Sequence, residues 1–131
     1  MNLDLVSTNV YSKDLSSKLL IAGTCTLVEW PELVKQVGKD STILTVCLES
    51  THLNTTIEKI ASILAKGDIE EITVITKDGS PHCIGLHFAV EWALKMTKSD
   101  RTKVNYYVIE HGTLRHVPAE RIKEKRHLSR S

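Results

Sequence analysis

The stretch "EITVITKDGSPHCIGLHFAVEWALK", Glu71 to Lys95, decides the fold. Its first seven residues are mostly apolar or β-branched, the pattern of a strand buried on both faces. Asp78-Gly79 then makes a polar turn. Ser80-Pro81 reads as a helix N-cap followed by the first helical position. A helix is the usual return path between parallel strands, so strand, turn and helix together predict a parallel crossover.

Working outward, three more segments read as strands: "KLLIAGT" (Lys18 to Thr24), "TILTVCLE" (Thr42 to Glu49) and "VNYYVIEH" (Val104 to His111). Helical patterns lie between them. "LVEWPELVKQVG" stops at Gly38. "NTTIEKIASILAKG" has Asn54 or Thr55 as its cap, with Thr55-x-x-Glu58 fitting a capping box, one apolar face of Ile57, Ile60, Ala61 and Leu64, and a stop at Gly67. Alternating strands and helices predict a three-layer, doubly wound α/β fold with a mainly parallel four-stranded sheet. Right-handed crossovers make 2-1-3-4 the economical strand order. His111-Gly112 predicts a tight turn, and Leu114 to Val117 an antiparallel edge strand. "LDLVST" in the first 17 residues is a further edge-strand candidate. Residues 1–117 read as one domain. Residues 118–131 read as a basic helix or tail, because Arg115 to Ser131 holds six Lys or Arg against two Glu.

Composition narrows the function classes. The chain has 131 residues, a size at which one core is expected. The net charge of +1 supplies no electrostatic argument for nucleic acid. The basic tail lacks the interleaved aromatics that stack on bases, so a nucleic-acid partner is not expected. Three cysteines, Cys25, Cys47 and Cys83, with no Cys-x-x-Cys pair, predict reduced thiols and a cytoplasmic protein. The N-terminus shows no basic region followed by an apolar run, so no secretory leader is expected. No apolar stretch approaches the ~18 residues of a membrane span, and no membrane partner is expected.

Ligands of parallel sheets bind beyond the carboxyl ends of the strands. Five of the nine Cys and His residues fall just there: Cys25, His52, His82, Cys83 and His111. Cys83 stands in the first turn of its helix, where unpaired N–H groups and the helix dipole favour a thiolate. Three readings follow. Cys25, His82, Cys83 and His52 form a metal set whose thiolate and imidazole donors suit zinc. Alternatively Cys83 is a nucleophile with His82, or His87 one turn on, as its base. The third reading is a non-catalytic ligand- or anion-binding and assembly module, in which Thr24, Gly79 and Ser80 offer backbone N–H groups at two helix starts. Cys47 reads as core, inside its strand. Gly85 weakens its helix by roughly 1 kcal/mol, a cost that fits a close approach by a ligand or another backbone.

The helix after Pro81 is apolar around most of its circumference. Leu86, Ala89, Val90, Ala93, Leu94 and Met96 make the sheet side, and His87, Glu91 and Lys95 a polar strip. Ile84, Phe88 and Trp92 form a stripe between them at i, i+4, i+8 spacing. Such a stripe needs a cover. A homo-oligomer through Ile84, Phe88 and Trp92 is predicted, with Leu3, Leu5, Val6 and Val10 of the N-terminal segment as the competing cover.

Overall fold

The computed structural model describes residues 2–77 and 81–118, with the backbone alone for 2 and 81–84. Its strands are β1 (Asn2–Asp4), β2 (Lys18–Gly23), β3 (Thr42–Val46), β4 (Glu71–Lys77), β5 (Lys103–Glu110) and β6 (Thr113–Val117). They form one sheet in the order β1-β3-β2-β4-β5-β6. Every neighbouring pair is parallel except β5 with β6. The four central strands keep the expected 2-1-3-4 order. The sheet is wider than the four strands expected, because β1 and β6 extend its two edges.

The central strands are apolar on both sides because helices cover both faces. Successive residues of a strand point to opposite faces. Thus Leu19 and Ile21 of β2 join Leu44, Val46, Ile72 and Val74 under α3 (Leu53–Lys66) and α4 (Pro81–Thr97). Leu20 and Ala22 join Ile43, Ile75 and Ile109 on the other face, under α2 (Pro31–Val37).

The helix expected after β2 is two helices, α1 (Thr24–Glu29) and α2. The break falls at Trp30, whose backbone sits at φ −131°, ψ 63°. Pro31 is the cause: its ring disfavours helical geometry in the preceding residue. Helix α3 starts earlier than the Thr55 capping box implied. Its cap is His52, whose Nδ1 accepts the N–H of Asn54 at 3.2 Å. His111 (φ 50°) and Gly112 (φ 79°) turn β5 into β6 as a two-residue hairpin with Glu110 opposite Thr113.

Helix α4 buries Leu86, Ala89, Val90 and Ala93, as expected. Two assignments change. Met96 is 58% exposed rather than on the sheet. His87, expected on the polar strip, is buried at 1% exposure. Leu53 of α3, Trp92 and Met96 remain exposed on the solvent side of the α3–α4 layer. The side chain of Ile84 lies outside the described residues.

Candidate functional site at the carboxyl edge of the sheet

From β2 the chain moves to β3 on one side, and from β3 it crosses to β4 on the other. Strand order therefore reverses between β2 and β4, and the ligand crevice of such sheets lies at their carboxyl ends.

Helix α1 begins directly at the end of β2. Thr24 and Cys25, its first two residues, are exposed. Thr26 is fully buried, and its Oγ1 has no hydrogen-bond partner. Gly23 pairs with Val46 of the adjacent β3. Cys47 is thus one residue past that rung and Cys25 two residues past it, beyond the ends of strands that are themselves about 4.8 Å apart. Neither thiol is in a disulfide.

Cys47 corrects the reading from sequence. Strand β3 ends at Val46, so Cys47 is half-buried in a turn rather than in the core. Its thiol lies below the ordinary value of 9.0. The Ser50 hydroxyl is the main cause, followed by the backbone N–H groups of Ser50 and Glu49, while burial and the Glu49 charge oppose it. The Ser50 hydroxyl and N–H also lie 3.4 and 3.2 Å from the Cys47 carbonyl. One hydroxyl proton serves one acceptor at a time, so Ser50 is shared between carbonyl and thiol. The sequence signal that pointed here was the polar run Glu49-Ser50-Thr51-His52, a turn composition that pulls the strand end back. The apolar triplet Val46-Cys47-Leu48 masked it.

The remaining strand ends complete the edge. Lys77 of β4 pairs with Glu29 of α1 at 2.9 Å, and its Nζ lies 6.0 Å from the centre of the Trp30 ring. Glu110 of β5 pairs with Arg115 at 3.0 Å. His111 is exposed in the hairpin turn. His52 is exposed, with Nδ1 occupied in capping α3. Gly79 and Ser80 lie outside the described residues. Helix α4 begins at Pro81, which sets His82 and Cys83 in its first turn; their side chains lie outside the description. A Cβ on Gly85 would stand 3.3 Å from Leu48 Cδ1. The close approach expected at Gly85 is therefore made by a side chain of the segment that follows Cys47. Among the described residues, no group of three or more His, Cys, Asp or Glu is placed to hold a metal ion.

Beneath the edge lies a buried polar cluster. His87 Nε2 and Thr76 Oγ1 are 2.6 Å apart. The imidazole meets the Tyr106 ring edge-on at 5.1 Å. Burial pushes His87 from 6.5 down to about 3. It is a weak base tied to Thr76, which removes it as the base for a thiol. Burial first, and the Glu91 carboxylate second, hold the Tyr106 phenol above its ordinary range. Glu91 is near, but Tyr106 Oη and His87 Nδ1 have no hydrogen-bond partner of ordinary geometry.

A mainly parallel sheet covered by helices on both faces, with its strand order reversing between β2 and β4, defines a doubly wound α/β protein. The chain belongs to the Rossmann-like domain family, whose model matches residues 14–130. No curated protein and no solved structure matches it.

Proposed function

We propose that the carboxyl edge of β3, β2 and β4 is a thiolate site in which Cys47 is the reactive group. The observation that supports this most is the Cys47 turn. Its thiol is partly accessible, its thiolate form is favoured by Ser50 and the backbone N–H of Glu49, and the strand before it neighbours β2, which leads into Cys25 of α1. A thiolate, not a thiol, attacks soft electrophiles and ligates soft metals. Cys83 stands in the first turn of α4, and α4 packs on Leu48 beside Cys47. All three cysteines of the chain thus follow the carboxyl ends of three adjacent strands.

Zinc held by Cys25, Cys47 and Cys83, with His82 or His52, is the metal form of this reading. Elemental analysis of the purified protein, with thiol titration before and after a chelator, separates the forms. Stoichiometric zinc that protects at least two thiols supports the metal form. No metal and one fast thiol at Cys47 supports a nucleophile. Three slow thiols without metal overturn the proposal and leave the anion-binding module, with Thr24, Gly79 and Ser80 at the two helix starts.

A second observation supports an assembly role. Trp92 and Met96 are 54% and 58% exposed side by side on α4. Monomers seldom leave such apolar side chains clustered in water. We propose that this face, extended by Leu53 and Ile57 of α3, pairs with a second copy of the chain.

A further inference from the structure

Resting on that assembly reading, we propose its arrangement: α4 packs against α4 of a second copy, antiparallel about a two-fold axis, with Glu91 of each copy opposite Lys95 of the other. Each residue advances about 100° around a helix. With Trp92 set at the centre of the exposed face, Met96 lies about 40° to one side. That is the side of α3, since Met96 and Trp92 share a groove with Ile57 and Ala61. Glu91 and Lys95 both lie on the opposite flank, about 60° to 100° away. Glu91 there reaches towards Tyr106 of β5.

A two-fold axis perpendicular to α4 lays this flank on its own copy with the direction reversed. The residue two positions ahead of the axis then meets the residue two positions behind it. Pairing centred near Ala93 therefore sets Glu91 against Lys95 twice and brings the two indoles together over the α3–α4 grooves. A parallel two-fold would instead set this charged flank against the α3 side of the partner. Opposite charges four residues apart, both flanking one exposed Trp, are complementary to themselves in the antiparallel arrangement. Helix α4 spans about 25 Å, and with α3 about 10 Å away the face covers roughly 500 Å² in projection. That is near the lower end of specific interfaces, so association in the micromolar range is expected.

Charge reversal tests the arrangement. Sedimentation of the wild type at 20–200 µM, a range set by that affinity, should show a monomer–dimer equilibrium. Glu91→Lys and Lys95→Glu each convert both attractions to repulsions, and each alone should weaken the dimer about tenfold or more. An equimolar mixture of the two variants should dimerise within about threefold of wild type, because every facing pair is again opposite in sign. A wild type that is monomeric throughout overturns both the assembly reading and this arrangement. A wild-type dimer unaffected by Lys95→Glu, or single variants that do not rescue each other, overturns the arrangement alone. Should Glu91→Lys fail to fold, a spin label on Lys95→Cys in a chain with Cys25, Cys47 and Cys83 replaced by alanine decides the matter. The antiparallel pairing sets the two labels within about 25 Å, and a separation beyond about 40 Å contradicts it.

Discussion

His87 is held neutral inside the sheet–helix interface, and that fixes how the protein responds to acid. Its folded value of about 3 lies below the ordinary 6.5. Above pH 6.5 neither the folded nor the unfolded chain binds this proton. Below it the unfolded chain takes the proton and the folded chain does not. Stability from this group is therefore complete above pH 6.5 and is lost as pH falls towards 3. The groups facing the ring are Thr76 of β4 and Tyr106 of β5, and Glu91 of the same helix stands near the Tyr106 phenol. His87→Gln keeps a partner for Thr76 but cannot titrate. Urea unfolding at pH 7, 5 and 4 should show the wild type losing more stability than the variant, on the order of a few kcal/mol by the lowest pH. Parallel losses would show that His87 does not carry the effect. His87 and Cys47 were both misread from sequence, for related reasons. Helical spacing places His87 with Glu91 and Lys95, but a small shift of the buried arc brings it under the sheet, where Thr76 supplies one hydrogen bond. Cys47 follows a β-branched run, and hydrophobicity carries no mark of where the backbone stops pairing.

At the scale of elements, the strands were legible because three near-continuous apolar runs, and a fourth rich in β-branched and aromatic residues, admit few other readings. Their ends were not. Strand β3 stops where Glu49 to His52 form a turn, and α3 takes His52 as its cap rather than the capping box at Thr55. The α1–α2 break was not read: the apolar pattern suggested one helix with Pro31 near its start, but the steric effect of Pro31 on Trp30 outweighs that continuity. Two glycines are required for different reasons. Gly112 sits at φ 79° in the β5–β6 hairpin, and Gly112→Ala should cost about 1 kcal/mol through backbone strain. Gly38 has an ordinary φ of −92°, but a Cβ there would meet Leu20 Cδ1 at 2.9 Å and Ile43 Cγ1 at 3.0 Å. Both neighbours are buried in the core and cannot yield cheaply, so Gly38→Ala should cost about 1–3 kcal/mol. Urea midpoints of the two variants check both values. A neutral Gly38→Ala would mean that α2 shifts freely on the sheet.

For the whole molecule, the alternation of strands and helices carried the topology, and membership of the Rossmann-like domain family agrees with it. Topology in turn located the candidate site, since the crossover from β2 to β3 and back to β4 sets the switch point whatever side chains line it. The sequence placed Cys25 and Cys83 at that edge; the early end of β3 adds Cys47 to them. Among the described residues, no helix is long and apolar enough to cross a membrane. The central claim is that this edge makes a thiolate of Cys47 with the help of Ser50. It is tested most directly by the pH profile of alkylation, resolved cysteine by cysteine by mass spectrometry, in the wild type and in Ser50→Ala. The account predicts that Cys47 reacts with a midpoint below 9.0 and that Ser50→Ala moves the midpoint upward while the fold is retained. A Cys47 midpoint at or above 9.0 in the wild type, or one that Ser50→Ala leaves in place, would contradict it.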